Sequence, residues 1–204
     1  MKIICIGRNY VQHAKELGND VPTEPVFFLK PDSALLQKNA PFFIPDFSNE
    51  IHYEVELVVK INRLGKSISE NFAHKYYQEI GLGIDFTARD LQDELKAKGL
   101  PWEKAKAFDG SAVMGRKFIQ ISSSDDAKNI NFSLRKNGEL VQKGNTSEML
   151  FSINQIIAYV SKFFTLKIGD LIYTGTPSGV GPVAINDELK GYIEDEEIFK
   201  CKIK

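Results

Sequence analysis

Three carboxylates, with no matching set of cysteines or histidines, mark the part of this chain best suited to chemistry. Ile51 to Ile61 is rich in β-branched residues and reads as one long strand. A strand alternates faces, so His52, Glu54 and Glu56 share one face while Tyr53, Val55 and Leu57 share the other. Turned inward, neighbouring carboxylates cannot both stay ionised without a cation. Asp85 stands inside the apolar run Ile80 to Phe86, where an acid is costly unless paired or bound to metal. Ligands that are all oxygen select Mg²⁺, Mn²⁺ or Ca²⁺ over structural Zn²⁺. A half-exposed strand with solvated glutamates fits the same residues, and residue types alone leave both readings open.

His13 and Glu16 are three positions apart, on one face of a helix. Glu16 would then hold the imidazole and leave its other nitrogen to activate water. The alternative is a surface helix with an incidental pair. No second histidine follows at helical spacing, which argues against a zinc-protease motif. Arg89 and Gln92 have the same spacing on the helix after Asp85. They would reach a carboxylate or oxo group near the acids, or else form a solvated helix face. The Gly-rich stretch from Gly175 to Pro182 lacks the spacing of a dinucleotide fingerprint.

The elements that must position these groups are mostly strands. Lys2 to Ile6, Val26 to Leu29, Ile80 to Phe86 and Leu171 to Thr174 read as strands, and further strands close the chain from about Asp187. Asn137-Gly138 marks a hairpin between Ile130–Arg135 and Glu139–Gln142. Helices are expected over Asn9 to Leu17, stopped by Gly18 and Asn19, and over Glu70 to Glu79. Two more are expected over Ala88 to Lys98, capped by Thr87, and over Ser152 to Phe164. No regular βαβ alternation appears, which disfavours a Rossmann fold or a TIM barrel and favours a mixed, mainly β domain. The 204 residues suit one domain with a real core. A net charge of -1 gives no pull towards nucleic acid or an anionic membrane. No apolar run is long enough for a membrane span or a signal-peptide core. Cys5 and Cys201 lie in strand-like runs and are expected to be buried free thiols, which suits the cytoplasm.

Six stretches, in order along nearly the whole chain, carry a family resemblance. They are Gly7–Asn19, Pro25–Pro31, His52–Leu57, Gly83–Ala112, Asn137–Ser152 and Tyr173–Val183. Together they resemble the fumarylacetoacetate hydrolase family, and within it the single-domain acylpyruvate hydrolases and oxaloacetate decarboxylases. The resemblance implies an α+β, mainly β fold: a mixed β-roll of that family's C-terminal domain type with short helices, one catalytic domain over 1–204. It places an Mg²⁺ or Mn²⁺ ion, with no organic cofactor, on Glu54, Glu56 and Asp85. His13 and Glu16 become an acid–base dyad on a segment that orders over ligand, and Lys106 the active-site lysine. Arg89, Gln92, Gly175 and Thr176 become substrate contacts, and His52 a supporting neighbour rather than a ligand. The expected substrate is a small 2-oxo acid and the expected assembly a homodimer. A metal-chelated 2-oxo acid has an electron sink, so C–C hydrolysis or decarboxylation through an enolate is the expected chemistry. Tautomerisation of a related acid is the alternative, and a non-catalytic dicarboxylate binder is a further one. The sequence does not distinguish among acylpyruvates, oxaloacetate and hydroxymuconate-type acids.

Overall fold

Near-continuous apolar runs produce strands buried on both sides. The computed structural model describes all residues except Leu17, Asn19, Lys38, Asn39 and Ser124. Strand β1 (Ile3–Gly7) leads to a short helix α1 (Val11–Glu16) and back through β2 (Val26–Lys30). Next come β3 (Ile51–Tyr53), β4 (Val55–Ile61), helix α2 (Glu70–Ala73) and β5 (Tyr77–Asp85). A two-residue strand β6 (Thr87–Ala88) precedes α3 (Arg89–Ala97) and α4 (Glu103–Lys106). The chain continues through β7 (Ala112–Met114), β8 (Ile119–Gln120), β9 (Asn131–Lys136) and β10 (Glu139–Asn145). It finishes with α5 (Ile153–Phe163), β11 (Leu171–Tyr173), β12 (Gly181–Pro182), β13 (Glu188–Ile193) and β14 (Glu196–Lys202).

A seven-stranded sheet runs β2-β1-β11-β4-β5-β7, with β8 also on β5. Only β1 and β11 pair in parallel within it. A four-stranded sheet, β10-β9-β13-β14, and a three-stranded one, β12-β3-β6, complete the roll. One face of the large sheet turns Ile4, Ile6, Leu57, Val59, Leu82, Ile84 and Ile172 into the main core. The opposite face carries a smaller apolar group, Ile3, Cys5, Val58, Ala112, Leu171 and Tyr173. By strand alternation Glu54, Glu56 and Asp85 belong to this second face.

The expected strand over Ile51 to Ile61 is broken at Glu54. There the chain leaves the three-stranded sheet and joins the seven-stranded one. The side chain of Gln142 fills the gap, its Oε1 accepting from Val55 N at 2.9 Å. Glu70 to Glu79 is not one helix. It yields a single α-turn and a 3-10 turn (His74–Tyr76), because Tyr77 and Glu79 pair with Ile61 and Lys60 in the sheet. Thr87 does not cap α3; it lies in β6, and its hydroxyl serves Lys106 instead. The first helix is shorter than Asn9 to Leu17, and Leu17 and Asn19 lie outside the described residues. Most of the Gly175 to Pro182 loop is irregular, but Gly181 and Pro182 pair with β3. Asn137 and Gly138 turn with φ of 54 and 90, as the hairpin requires. Ser152 caps α5 through a capping box with Gln155. Cys5 and Cys201 are buried free thiols.

Candidate active site

Sheet register brings the three acids together. Glu54 and Glu56 are two apart on one face, and Asp85 N donates to the Glu54 carbonyl at 2.9 Å across the strand pair. Oxygens of Glu54, Glu56 and Asp85 all lie within 4.8 Å of one another, and all three residues are buried. Gly83 faces Glu56 across the ladder. A Cβ there would sit 2.2 Å from the Val113 carbonyl and 2.8 Å from the Tyr173 ring, so only glycine keeps this packing.

Cations crowd the same space. Lys106 Nζ lies 2.8 Å from both Glu54 Oε2 and Asp85 Oδ2, and 2.6 Å from Thr87 Oγ1. Arg89 places one nitrogen 2.5 Å from Glu54 Oε1 and another 2.5 Å from Gln92 Oε1. Its Nε donates to His52 Nδ1 at 3.4 Å, and Glu50 holds the far side of that ring at 2.8 Å. Lys30, fully buried, stands 2.7 Å from Asp85 Oδ1. It also donates to Ser111 Oγ at 2.9 Å and to the Lys106 carbonyl. From the sequence Lys30, before Pro31, fits either lining the site or bracing the fold; the ion pair places it against Asp85. Its signal was a lysine inside an apolar strand, which needs an acid to be buried.

The charges are not evenly matched. Burial pushes the Glu54 carboxyl up, but Lys106, Arg89 and His13 outweigh it and hold the group well below the usual range. Burial also pulls Lys106 down, and the attraction of Asp85 and Glu54 more than reverses that. Glu56 has no such partner. Burial, Asp85 and Glu54 push it well up, against a hydrogen bond from Gly175 N at 2.7 Å and the weaker pull of Lys106. The Lys30 contact with Asp85 Oδ1 is an ion pair without hydrogen-bond geometry, so that buried oxygen accepts no hydrogen bond. A buried Glu56 with no ion-pair partner, beside two further carboxylates in an all-oxygen donor set, suits a hard divalent cation such as Mg²⁺ or Mn²⁺. No second group of three metal-ligating side chains occurs among the described residues.

His13 lies across the cleft on α1, buried, with Nδ1 3.2 Å from Glu16 Oε2. Burial lowers its pKa below 6.5, against the pull of Glu54 and Glu16, so the ring is neutral near pH 7. Glu16 accepts from Gly179 N at 3.0 Å, which docks α1 on the Gly175 loop. Asn9 is fully buried and secures the base of α1, bonding Thr174, Phe151 and Leu150. The preceding Arg8 has φ 58, a left-handed conformation that costs a non-glycine residue roughly 1–2 kcal/mol.

All ten residues singled out from the sequence lie in this region. His13, Glu54, Glu56, Asp85, Arg89, Gln92, Lys106 and Thr176 line one small cleft of about 30 Å³. Glu16 and Gly175 support it from behind. The Gly175 N–H points at Glu56 instead of into the cleft, and its φ of 100 with Asn9 2.7 Å from a would-be Cβ requires glycine. Thr176 Oγ1 accepts from Gln142 Nε2 at 2.9 Å, so Gln142 ties the strand break to the loop. A larger hollow of about 630 Å³ around Asn62, His74 and Gln120 lies elsewhere and gathers no comparable set of acids and bases.

This roll and this acid cluster define a family of enzymes. The model of the fumarylacetoacetate (FAA) hydrolase C-terminal family matches residues 2–204. The chain belongs to the fumarylacetoacetate hydrolase family. It is 44% identical over 202 residues to the mitochondrial oxaloacetate tautomerase of Bos taurus, covering 99% of this chain and 91% of that protein. It is 46% identical over 190 residues to the mitochondrial oxaloacetate decarboxylase of Dictyostelium discoideum, covering 93% and 87%. Among solved structures it is similar to fumarylpyruvate hydrolase from Pseudomonas aeruginosa in complex with Mn²⁺ and pyruvate. That match has a TM-score of 0.91 and 34% identity, over 100% of this chain and 89% of the other.

Proposed function

We propose that this chain is a divalent-cation-dependent enzyme that interconverts the enol and keto forms of a short 2-oxo dicarboxylic acid of the oxaloacetate type. The observation that carries the reading is the buried triad Glu54, Glu56 and Asp85 facing the His13–Glu16 pair across one cleft. The relatives' activities on oxaloacetate support the substrate class. Bound there, Mg²⁺ or Mn²⁺ would supply Lewis-acid polarisation of the 2-oxo oxygen.

The chain's own groups account for the proton. Glu16 holds His13 Nδ1, which leaves Nε2 to take a proton from C3 of the keto acid and hand it to the 2-oxo oxygen of the resulting enolate, or to run the same transfer in reverse from the enol hydroxyl to C3. Lys106 keeps its proton and stabilises negative charge developing on the 2-oxo oxygen by its field. Arg89 pairs with the buried Glu54 and Lys30 with the buried Asp85. Docking of α1 on the loop keeps His13 buried at the cleft, which would limit water at the reacting atoms.

The test is to follow decay of the enol's ultraviolet absorbance with metal-stripped protein, then after adding Mg²⁺ or Mn²⁺. Acceleration only with metal is expected; no acceleration in either state contradicts the reading. The names of two relatives favour a second reading, C–C cleavage. Pyruvate release at a rate matching enol decay would favour it. The homodimer implied by the family resemblance belongs to the proposal, and sedimentation checks it.

A further inference from the structure

Two cations of the cleft are not used by the cluster just described. Arg8 and Lys96 both line it, beside Phe28 and Trp102. They are half-buried, whereas the acids are buried, so they stand at its mouth. Glu54 is held by Arg89 and Lys106, and Asp85 by Lys30 and Lys106. Neither Arg8 nor Lys96 forms an ion pair or a side-chain hydrogen bond among the described residues. Lys96 Nζ instead lies 5.8 Å from the centre of the Trp102 ring.

Two like charges that share a cleft mouth without a salt-bridge partner are unfavourable unless something anionic visits. Burial and then Arg89 disfavour the charge on Lys96; Asp93 opposes them, and Arg8 adds a smaller repulsion. The backbone adds to this. Arg8 is held at φ 58 between Gly7, which also lines the cleft, and Asn9, whose bonds fix the chain on its far side. A glycine would suit that conformation better, and strain of this kind persists where surrounding structure holds a side chain in place.

We infer that Arg8 and Lys96 form a second anion subsite, at the cleft mouth, that binds the far carboxylate of a dicarboxylic 2-oxo acid and selects dianions over monoanions. The inference rests on the 2-oxo acid reading above and assigns the end of the substrate remote from the Glu54–Glu56–Asp85 triad. Arg8 supplies a planar fork suited to a carboxylate, and Lys96 a second donor.

The test compares oxaloacetate with 2-oxosuccinamate, its 4-amide, of the same size but one charge fewer. The unaltered protein should favour the dianion by at least about 10-fold in kcat/KM. Arg8→Gly and Lys96→Met should each raise KM for oxaloacetate by about 10- to 100-fold, the worth of a charge-assisted hydrogen bond, far more than they lower kcat. The preference over the amide should collapse towards one, and Arg8→Lys should restore part of it. Arg8→Gly should not lower the unfolding temperature, because it relieves the positive φ. Equal losses on both compounds, or an unaltered preference, would overturn the subsite. Calorimetry with succinate and succinamate, which do not enolise, gives a readout independent of turnover. If no 2-oxo acid turns over, the functional reading fails, and this binding comparison still decides the subsite: the unaltered protein must prefer succinate, and each variant must lose that preference.

Discussion

Replacing Lys30 by methionine tests whether one acid serves both the fold and a cation. The side chain is fully buried, 2.7 Å from Asp85 Oδ1. Methionine keeps most of the apolar stem and removes the charge. Deleting one partner of a buried ion pair usually costs about 3–5 kcal/mol, because the other charge stays buried. In a chain of this size each kcal/mol is worth roughly 2–4 °C in Tm, so the metal-free variant should melt roughly 6–20 °C lower. A divalent ion beside Asp85 would then supply the missing positive charge and meet one fewer repelling neighbour. It should therefore raise the variant's Tm by more than it raises the original's. Scanning calorimetry with EDTA and with excess Mn²⁺ gives the four midpoints. An equal drop under both conditions would refute the sharing of Asp85 between Lys30 and the ion. A drop below about 2 °C would refute the buried pair itself.

His13→Ala should slow enol–keto conversion by roughly 10²- to 10⁴-fold, the usual worth of a general base. Burial holds the His13 pKa below 6.5, so the neutral base is present above that pKa. In the unaltered enzyme kcat should stay level through neutral pH and fall on the acid side, with a midpoint below 6.5; a midpoint above 7 would contradict the assignment. Gln142→Leu leaves the buried Val55 N–H without its acceptor, at a cost of about 1–3 kcal/mol, and frees Thr176. Urea unfolding should register that loss, and KM should rise. Ser152→Ala removes the α5 cap and should cost about 1 kcal/mol without changing activity, since that cap touches nothing in the cleft.

The acids were legible because their anomaly is local. Glu54 and Glu56 repeat with strand period, and Asp85 interrupts an apolar run, so a short window of sequence holds the signal. The Asn137-Gly138 hairpin was legible for the same reason. What escaped depends on distant partners. Gln142 completes a strand break 87 positions away, and Lys30 meets Asp85 only through the sheet order. The break at Glu54 leaves no mark in a run of β-branched residues, because both halves are strand and only their neighbours change. Tyr77 to Glu79 reads as the end of a helix until Ile61 and Lys60 pair with it. Thr87 looked like a cap because it precedes a helix, yet the ammonium of Lys106 lies against its hydroxyl.

The central claim is that Glu54, Glu56 and Asp85 hold a divalent ion on which turnover depends. Titration calorimetry of Mn²⁺ into metal-stripped protein, with the enol–keto rate measured at each addition, tests it most directly. The account predicts a single tight site per chain, a rate that rises in step with occupancy, and loss of both in Glu56→Ala while the fold survives. Full turnover by the metal-stripped protein, or tight binding that persists unchanged in Glu56→Ala, would contradict it.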